Sequence, residues 1–106
     1  MQNELMVFQN QEFGEIRSVM IDSDIWFLGK DVASILEYSN TAKAIRDHID
    51  DEDKLTERIV LSGQNREAIF INESGLYSLI LSSKLPNARK FKKWVTSEVL
   101  PSIRKK

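Results

Sequence analysis

Between residues 87 and 95 the chain reads NARKFKKWV, and its chemistry is that of fixed positive charge. Arg89, Lys90, Lys92 and Lys93 put four cations within five positions. Bases at that density neutralise phosphates and gain from the release of condensed counterions. At 100° per residue Ala88, Phe91, Trp94, Val95 and Val99 fall on one broad stripe. The bases fall on the other side, with Thr96 and Ser97 completing a polar face. The spacing predicts a helix with one face in the core and the other a cationic ribbon. Phe91 and Trp94 are expected inside rather than stacked on bases, because aromatic bulk of that size is normally interior. A solvated lysine face is the competing reading of the ribbon. Missing acids at the spacings that would stabilise such a helix favour an anionic partner instead. Glu98 falls on the apolar side, where a buried carboxylate needs a partner, and a structural ion pair is expected.

The chain has a formal charge of −1 and a pI near 5.8, values that argue against a nucleic-acid partner. The average conceals a pole. From Lys84 onward eight bases, Arg104, Lys105 and Lys106 among them, face one acid, Glu98, a local charge of +7 that leaves −8 on residues 1–83. A pole of that size does fit a polyanion.

A second candidate lies at 30–49. Two short amphipathic stretches there, separated by YSNT (38–41), have the outline of a helix-turn-helix. An ordinary helical corner explains the same pattern. In the first geometry the second helix presents Asn40, Thr41, Lys43, Ala44 and Arg46. Asn40 and Arg46 can make bidentate contacts to base edges. Asp47 and the acids at 50–53 oppose phosphate binding nearby, and Glu37 stands where the turn usually has glycine.

Other constellations are absent from the sequence. His48 is the single histidine and cysteine is lacking, so no triad, thiolate metal site or disulfide framework can be written. DHIDDED lacks the glycine and ligand spacing of a calcium loop and is expected to be solvated. The glycines form no phosphate-binding fingerprint. Ser74–Gly75 could hold an anion at a helix start, but close packing explains Gly75 more simply. No enzyme, metal or cofactor is expected, and no apolar run reaches the roughly 20 residues of a membrane span.

The elements that must position these residues follow from period and punctuation. LMVF (5–8), EIRSVMI (15–21) and IWFL (25–28) read as strands, the last two joined through DSD. Val32, Ile35 and Leu36, then Ala42, Ile45 and Ile49, recur at helical spacing. Asp31 can cap the first helix, and Ser39, Asn40 or Thr41 the second. LTERIVL (55–61) and EAIFI (67–71) flank a turn containing Gly63 and Asn65. Asn72 caps a helix running to about Ser83, with Leu76, Leu79 and Ile80 inward. Pro86 suits the first turn of the last helix, which is expected to end before Pro101. The order βββ-αα-ββ-αα segregates strands from helices and predicts one α+β domain over residues 1–106, with two antiparallel hairpin regions and two helix pairs.

Three stretches, IRSVMIDSDIWFLGKDVASILEYSN (16–40), FINESGLYSLILSSKLPNARKFKKWV (70–95) and EVLPSIRK (98–105), resemble the N-terminal domain of the BRO family. Baculovirus repeated-ORF proteins and bacterial prophage antirepressors share that domain. The resemblance implies a module associated with DNA binding in viral and phage proteins, usually followed by a variable C-terminal domain; its phage members are similar to antirepressors, which relieve repression of lytic genes. Read with the charge pattern, it leads to an expected double-stranded DNA partner held by Arg89, Lys90, Lys92, Lys93, Lys43 and Arg46. Asn40, Thr41 and Arg46 are the candidates for sequence preference. The alternative is a protein-interaction module that captures a phage repressor through the acidic remainder. The expected setting is the cytoplasm of a bacterial host. Oligomeric state stays open, a dimer being usual for a helix-turn-helix reader.

Overall fold

The protein, described here as a computed structural model covering residues 5–61 and 63–103, is α+β. Arg104, Lys105 and Lys106 of the basic pole lie outside the described residues. The strands are β1 (Leu5–Asn10), β2 (Gly14–Ile21), β3 (Asp24–Leu28), β4 (Lys54–Leu61) and β5 (Gln64–Ile71). They form one antiparallel sheet in the order β1-β2-β3-β5-β4. The two hairpin regions are thus joined, but narrowly: β3 meets β5 through Phe27↔Ile71 and Leu28↔Phe70.

Local chemistry sets the turns. Asp22 and Ser23 both hold positive φ (52° and 72°) between the paired Ile21 and Asp24, the left-handed pair that matches strand twist in a two-residue hairpin. Asn10 Oδ1 accepts the backbone N–H groups of Glu12 and Phe13, closing the β1–β2 turn. Leu61 pairs with Gln64, so the β4–β5 turn is tighter than expected and Asn65 belongs to the ladder opposite Val60.

The helices are α1 (Gly29–Ile35), α2 (Thr41–His48), α3 (Glu73–Ser82), α4 (Ala88–Trp94) and α5 (Leu100–Ile103), with a 3₁₀ turn at Asp51–Asp53. They cover the sheet face that carries Ile16, Phe27 and Ile71, and the core forms between, with Val32, Leu36, Ile45, Leu76, Leu79, Phe91, Val95 and Leu100. A second cluster on the opposite face gathers Val19, Leu28 and Phe70 with Trp26, Leu55 and Ile59. Gly75 is buried; a Cβ there would lie 3.1 Å from both Ile49 and Ile71 side chains, so its service is close packing of α3.

Several local expectations give way to packing. Asp31 does not cap α1. It takes the Arg17 guanidinium in a fork (Nε–Oδ2 2.9 Å, Nη2–Oδ1 2.8 Å) and also the Arg17 backbone N–H at 2.9 Å. The β2–β3 ladder ends at Ser18↔Phe27, so that N–H has no strand partner, and the carboxylate supplies one. The fork raises the Arg17 pKa. Ala44, not Ala42, is the buried alanine of α2. Ile45 and Ile49 are buried as expected, and Ala44 joins them in place of Ala42. Pro86 precedes the α4 N-cap, Asn87, instead of standing in the first turn.

Candidate nucleic-acid interface

The ribbon is built as its period requires. Ala88, Phe91, Trp94, Val95 and Val99 are all buried, and Arg89, Lys90, Lys92, Lys93, Thr96 and Ser97 are all exposed. Phe13, which the sequence places in an unremarkable polar turn, secures the buried face. Its ring meets Phe91 edge-on at 5.5 Å and stacks near Trp94 at 6.0 Å. The β1–β2 turn therefore fixes the direction in which the four cations point.

Electrostatically the ribbon is placed against its own helix. Arg89 and Lys90 occupy the first turn of α4, where the partial positive charge of the helix start disfavours cations, and no acid stands there to offset them. Arg89–Lys92, Arg89–Lys93 and Lys90–Lys93 are like-charge pairs at i,i+3 and i,i+4 spacing, each mildly destabilising. Among the described residues none of the four makes an ion pair.

Beyond Trp94 the helix does not stop. A π turn over Val95–Val99 carries it into α5 and through Pro101 to Ile103. The Leu100 N–H bonds to the Val95 carbonyl, one residue further back than in an α-helix. The widened turn loosens the crowding a proline ring meets in a regular helix, which is why Leu100 stays helical before Pro101. Hydroxyls take up carbonyls along this stretch: Thr96 Oγ1 donates to Lys92 O at 3.0 Å and Ser102 Oγ to Glu98 O at 2.7 Å. The extra residue also rotates Glu98 out of the apolar stripe. It is exposed, and Leu100 joins the expected Val99 in the core. Glu98 is thus not a buried carboxylate, and among the described residues it makes no ion pair.

The helix pair at 29–48 contributes less than its outline offers. Leu36, Glu37 and Tyr38 close α1 with Glu37 N–H on Ser34 O and Tyr38 N–H on Ala33 O, the paired bonds of a Schellman end. That end needs a left-handed residue, and Glu37 supplies it at φ 61° in the position glycine would favour. Tyr38 Oη donates to Leu79 O at 2.8 Å, and burial pushes its phenol pKa up. Asn40 caps α2: its Oδ1 accepts the Lys43 N–H at 3.0 Å. Lys43 Nζ in turn bonds Asp47, holding that carboxyl below its usual range. Thr41 is half-buried, Ala44 is buried, and Arg46 is exposed. His48 lies on the surface beside the Tyr38 ring, at 5.7 Å. α2 packs on α1 and α3, and α3 on α4. Arg89, Lys90, Lys92 and Lys93 thus share one helix face; Lys43 and Arg46 belong to a different helix.

In the acidic segment, Asp53 is tied to the α3 cap: its Oδ1 accepts from Asn72 Nδ2 and its backbone O from the Asn72 N–H. Asn72 Oδ1 accepts the Gly75 N–H at 2.9 Å, as its position predicts. Asp50, Asp51 and Glu52 are exposed. Among the described residues no group of three or more His, Asp or Glu could hold a metal ion, and no helix is long and apolar enough to cross a membrane.

A family model described as BRO family, N-terminal domain, matches residues 15–101. An uncharacterized protein of Haemophilus influenzae is 43% identical over 82 residues, covering 77% of this chain and 41% of its own length. A putative Bro-N domain-containing protein, 289L, of Invertebrate iridescent virus 6 is 36% identical over 118 residues, covering 94% of this chain and 28% of its own. The uncharacterized Bro-N domain-containing protein ORF2 of Autographa californica nuclear polyhedrosis virus is 33% identical over 98 residues, covering 77% and 30%. The chain thus spans less than half the length of these curated relatives. No solved structure matches it.

Proposed function

Because this chain belongs to the BRO family as its N-terminal domain, we propose that it binds duplex DNA, holding the phosphate backbone on the exposed face of α4. One observation carries the reading: four cations without ion-pair partners among the described residues crowd the start of a helix, where helix stability disfavours them. A site kept against local stability is best understood by what it binds. Family membership supports a general DNA-binding, antirepressor-like role. The finer reading is a regulatory domain of the antirepressor type in a phage, prophage or virus, acting in the cytoplasm of an infected bacterial host. On α2, exposed Arg46 is a further candidate contact, with Thr41 and with Lys43, which would have to leave Asp47. We read the role as one of binding rather than catalysis.

The test is fluorescence anisotropy of a labelled random-sequence duplex across a salt series. Wild type is compared with a variant in which Arg89, Lys90, Lys92 and Lys93 are all changed to Gln. Four phosphate contacts give a log–log slope of about −3.6, or roughly 150-fold weaker binding between 50 and 200 mM salt. The variant should lose most of that slope. Equal slopes, or no wild-type binding at low salt, would overturn the assignment.

A second reading, capture of a phage repressor protein, is favoured by the −8 charge on residues 1–83 and the exposed Asp50, Asp51 and Glu52. Binding to a basic partner that survives the Gln variant but fails when these acids are neutralised would establish it.

A further inference from the structure

The β4–β5 ladder runs from Lys54↔Ile71 to Leu61↔Gln64, but β5 touches β3 only through Phe27↔Ile71 and Leu28↔Phe70. The six pairs beyond that joint extend roughly 20 Å at about 3.4 Å per residue. Leu55, Ile59 and Ala68 pack the arm against the second cluster as far as the Ile59↔Arg66 pair, so its free end is the two pairs beyond. Its far end is open: Val60 is 59% exposed, and every residue from Gly63 to Glu67 is exposed.

The composition of that end is specific. Gln64, Asn65 and Arg66 are consecutive, and these are the side chains that make bidentate bonds to base edges, arginine to guanine and the two amides to adenine. Strand alternation sends Gln64 and Arg66 to one side of the ribbon and Asn65 to the other. Gln64 Oε1 accepts from Arg66 Nε at 3.1 Å and also from Nη2, so the guanidinium is held in place before any ligand arrives. Nearby charge is balanced, with Arg58 lying 3.8 Å from Glu67. This is unlike the α4 ribbon and suited to polar reading instead of phosphate attraction. A two-stranded ribbon is also one of the two elements that a major groove about 12 Å wide admits. α2, by contrast, has spent the Asn40 oxygen on its cap and Lys43 on Asp47.

We propose that the tip of the β4–β5 hairpin reads base edges in the DNA major groove, with Asn65 and Arg66 as the reading side chains and Gln64, its oxygen bonded to Arg66, holding the guanidinium in place. This rests on the DNA-binding function above and divides it: phosphates on α4, sequence on the hairpin.

The experiment selects duplexes from a pool with a randomised core, using the full chain and two variants, Asn65→Ala with Arg66→Ala, and Asn40→Ala with Thr41→Ala. The expected result is an enriched motif for wild type. The hairpin variant should still bind the unselected pool within a few-fold, but lose about 5- to 150-fold preference at each base pair it contacted. Circular dichroism of the hairpin variant should match wild type, since both replaced side chains are exposed. A motif retained by the hairpin variant, or lost only in the α2 variant, would overturn the hairpin and leave phosphate binding standing. Pool binding without any motif would do the same. No binding of the pool by wild type would sink the DNA-binding function itself, and the hairpin's role with it.

Discussion

Neutralising the ribbon should make the domain more stable while removing its affinity. In the variant with Arg89, Lys90, Lys92 and Lys93 all changed to Gln, three like-charge pairs vanish, each costing about 0.2–0.5 kcal/mol. Arg89 and Lys90 also leave a helix start that opposes them by about 0.3–1 kcal/mol apiece at low salt. Glutamine has nearly the helix propensity of lysine and arginine, so the exchange costs little in the backbone. Two effects subtract. The pole loses its attraction to the acidic remainder, screened beyond about 8 Å at physiological salt. Lys92 also gives up the cover its stem provides beside Tyr77, Ile80 and Leu81. The net gain should be about 1 kcal/mol, a rise in Tm of roughly 4–8 °C for a domain of this size. Thermal and urea melts at 50 mM and 1 M salt measure it, and the gain should shrink in the higher salt. A loss of stability at low salt would refute the reasoning, because the ribbon would then be structural and its exposure no sign of a partner.

Three further changes probe the frame that holds the site. Glu37→Gly should stabilise the domain by about 1 kcal/mol in urea melts, since the left-handed residue closing α1 then carries no side-chain penalty; a neutral or destabilising result would mean the side chain makes up the difference. Ser18 is fully buried and its hydroxyl has no partner among the described residues, so Ser18→Ala should raise stability by about 1 kcal/mol. Tyr38→Phe should cost about 1 kcal/mol at pH 7 by orphaning the Leu79 carbonyl. The same phenol ionises at higher pH when folded than when unfolded, because burial disfavours its anion. Its contribution is therefore complete below the unfolded value near 10 and is lost as pH rises through the folded one. Wild type should lose more stability than Tyr38→Phe between pH 9 and 11, and parallel losses would argue against it.

What the sequence discloses here is what short-range chemistry decides. Asn40 and Asn72 cap their helices because an amide oxygen three residues ahead of a free N–H needs no tertiary help. The α4 stripe is legible because its apolar spacing is regular up to Val95. The features that escape are those made by distant contact or by irregularity. Asp31 looks like a cap until Arg17, fourteen residues away, brings it a guanidinium and an unpaired N–H. Phe13 reads as turn filler, since nothing local announces that Phe91 and Trp94 will close over it. Glu98 was placed by a 100° step that holds only while the helix stays α. At the site, charge position was visible in the sequence, whereas the commitments of Asn40 and Lys43 to local bonds were not. Nor was the narrow joint that leaves the β4–β5 arm projecting, because strand order is a property of the sheet and not of any one strand.

The π turn means that the last helix is one residue longer than its packing requires. Its buried pairs, Trp94–Val95 and Val99–Leu100, stand five positions apart, and removing a single residue from 96–98 would set them four apart. A shortened chain that also lost Pro101 would wind as an unbroken α-helix and bury the same side chains; with the proline kept, a regular turn would meet its ring. A gap of one residue at this point, together with loss of the proline, between otherwise similar sequences would mark a change of winding, with the core left as it was.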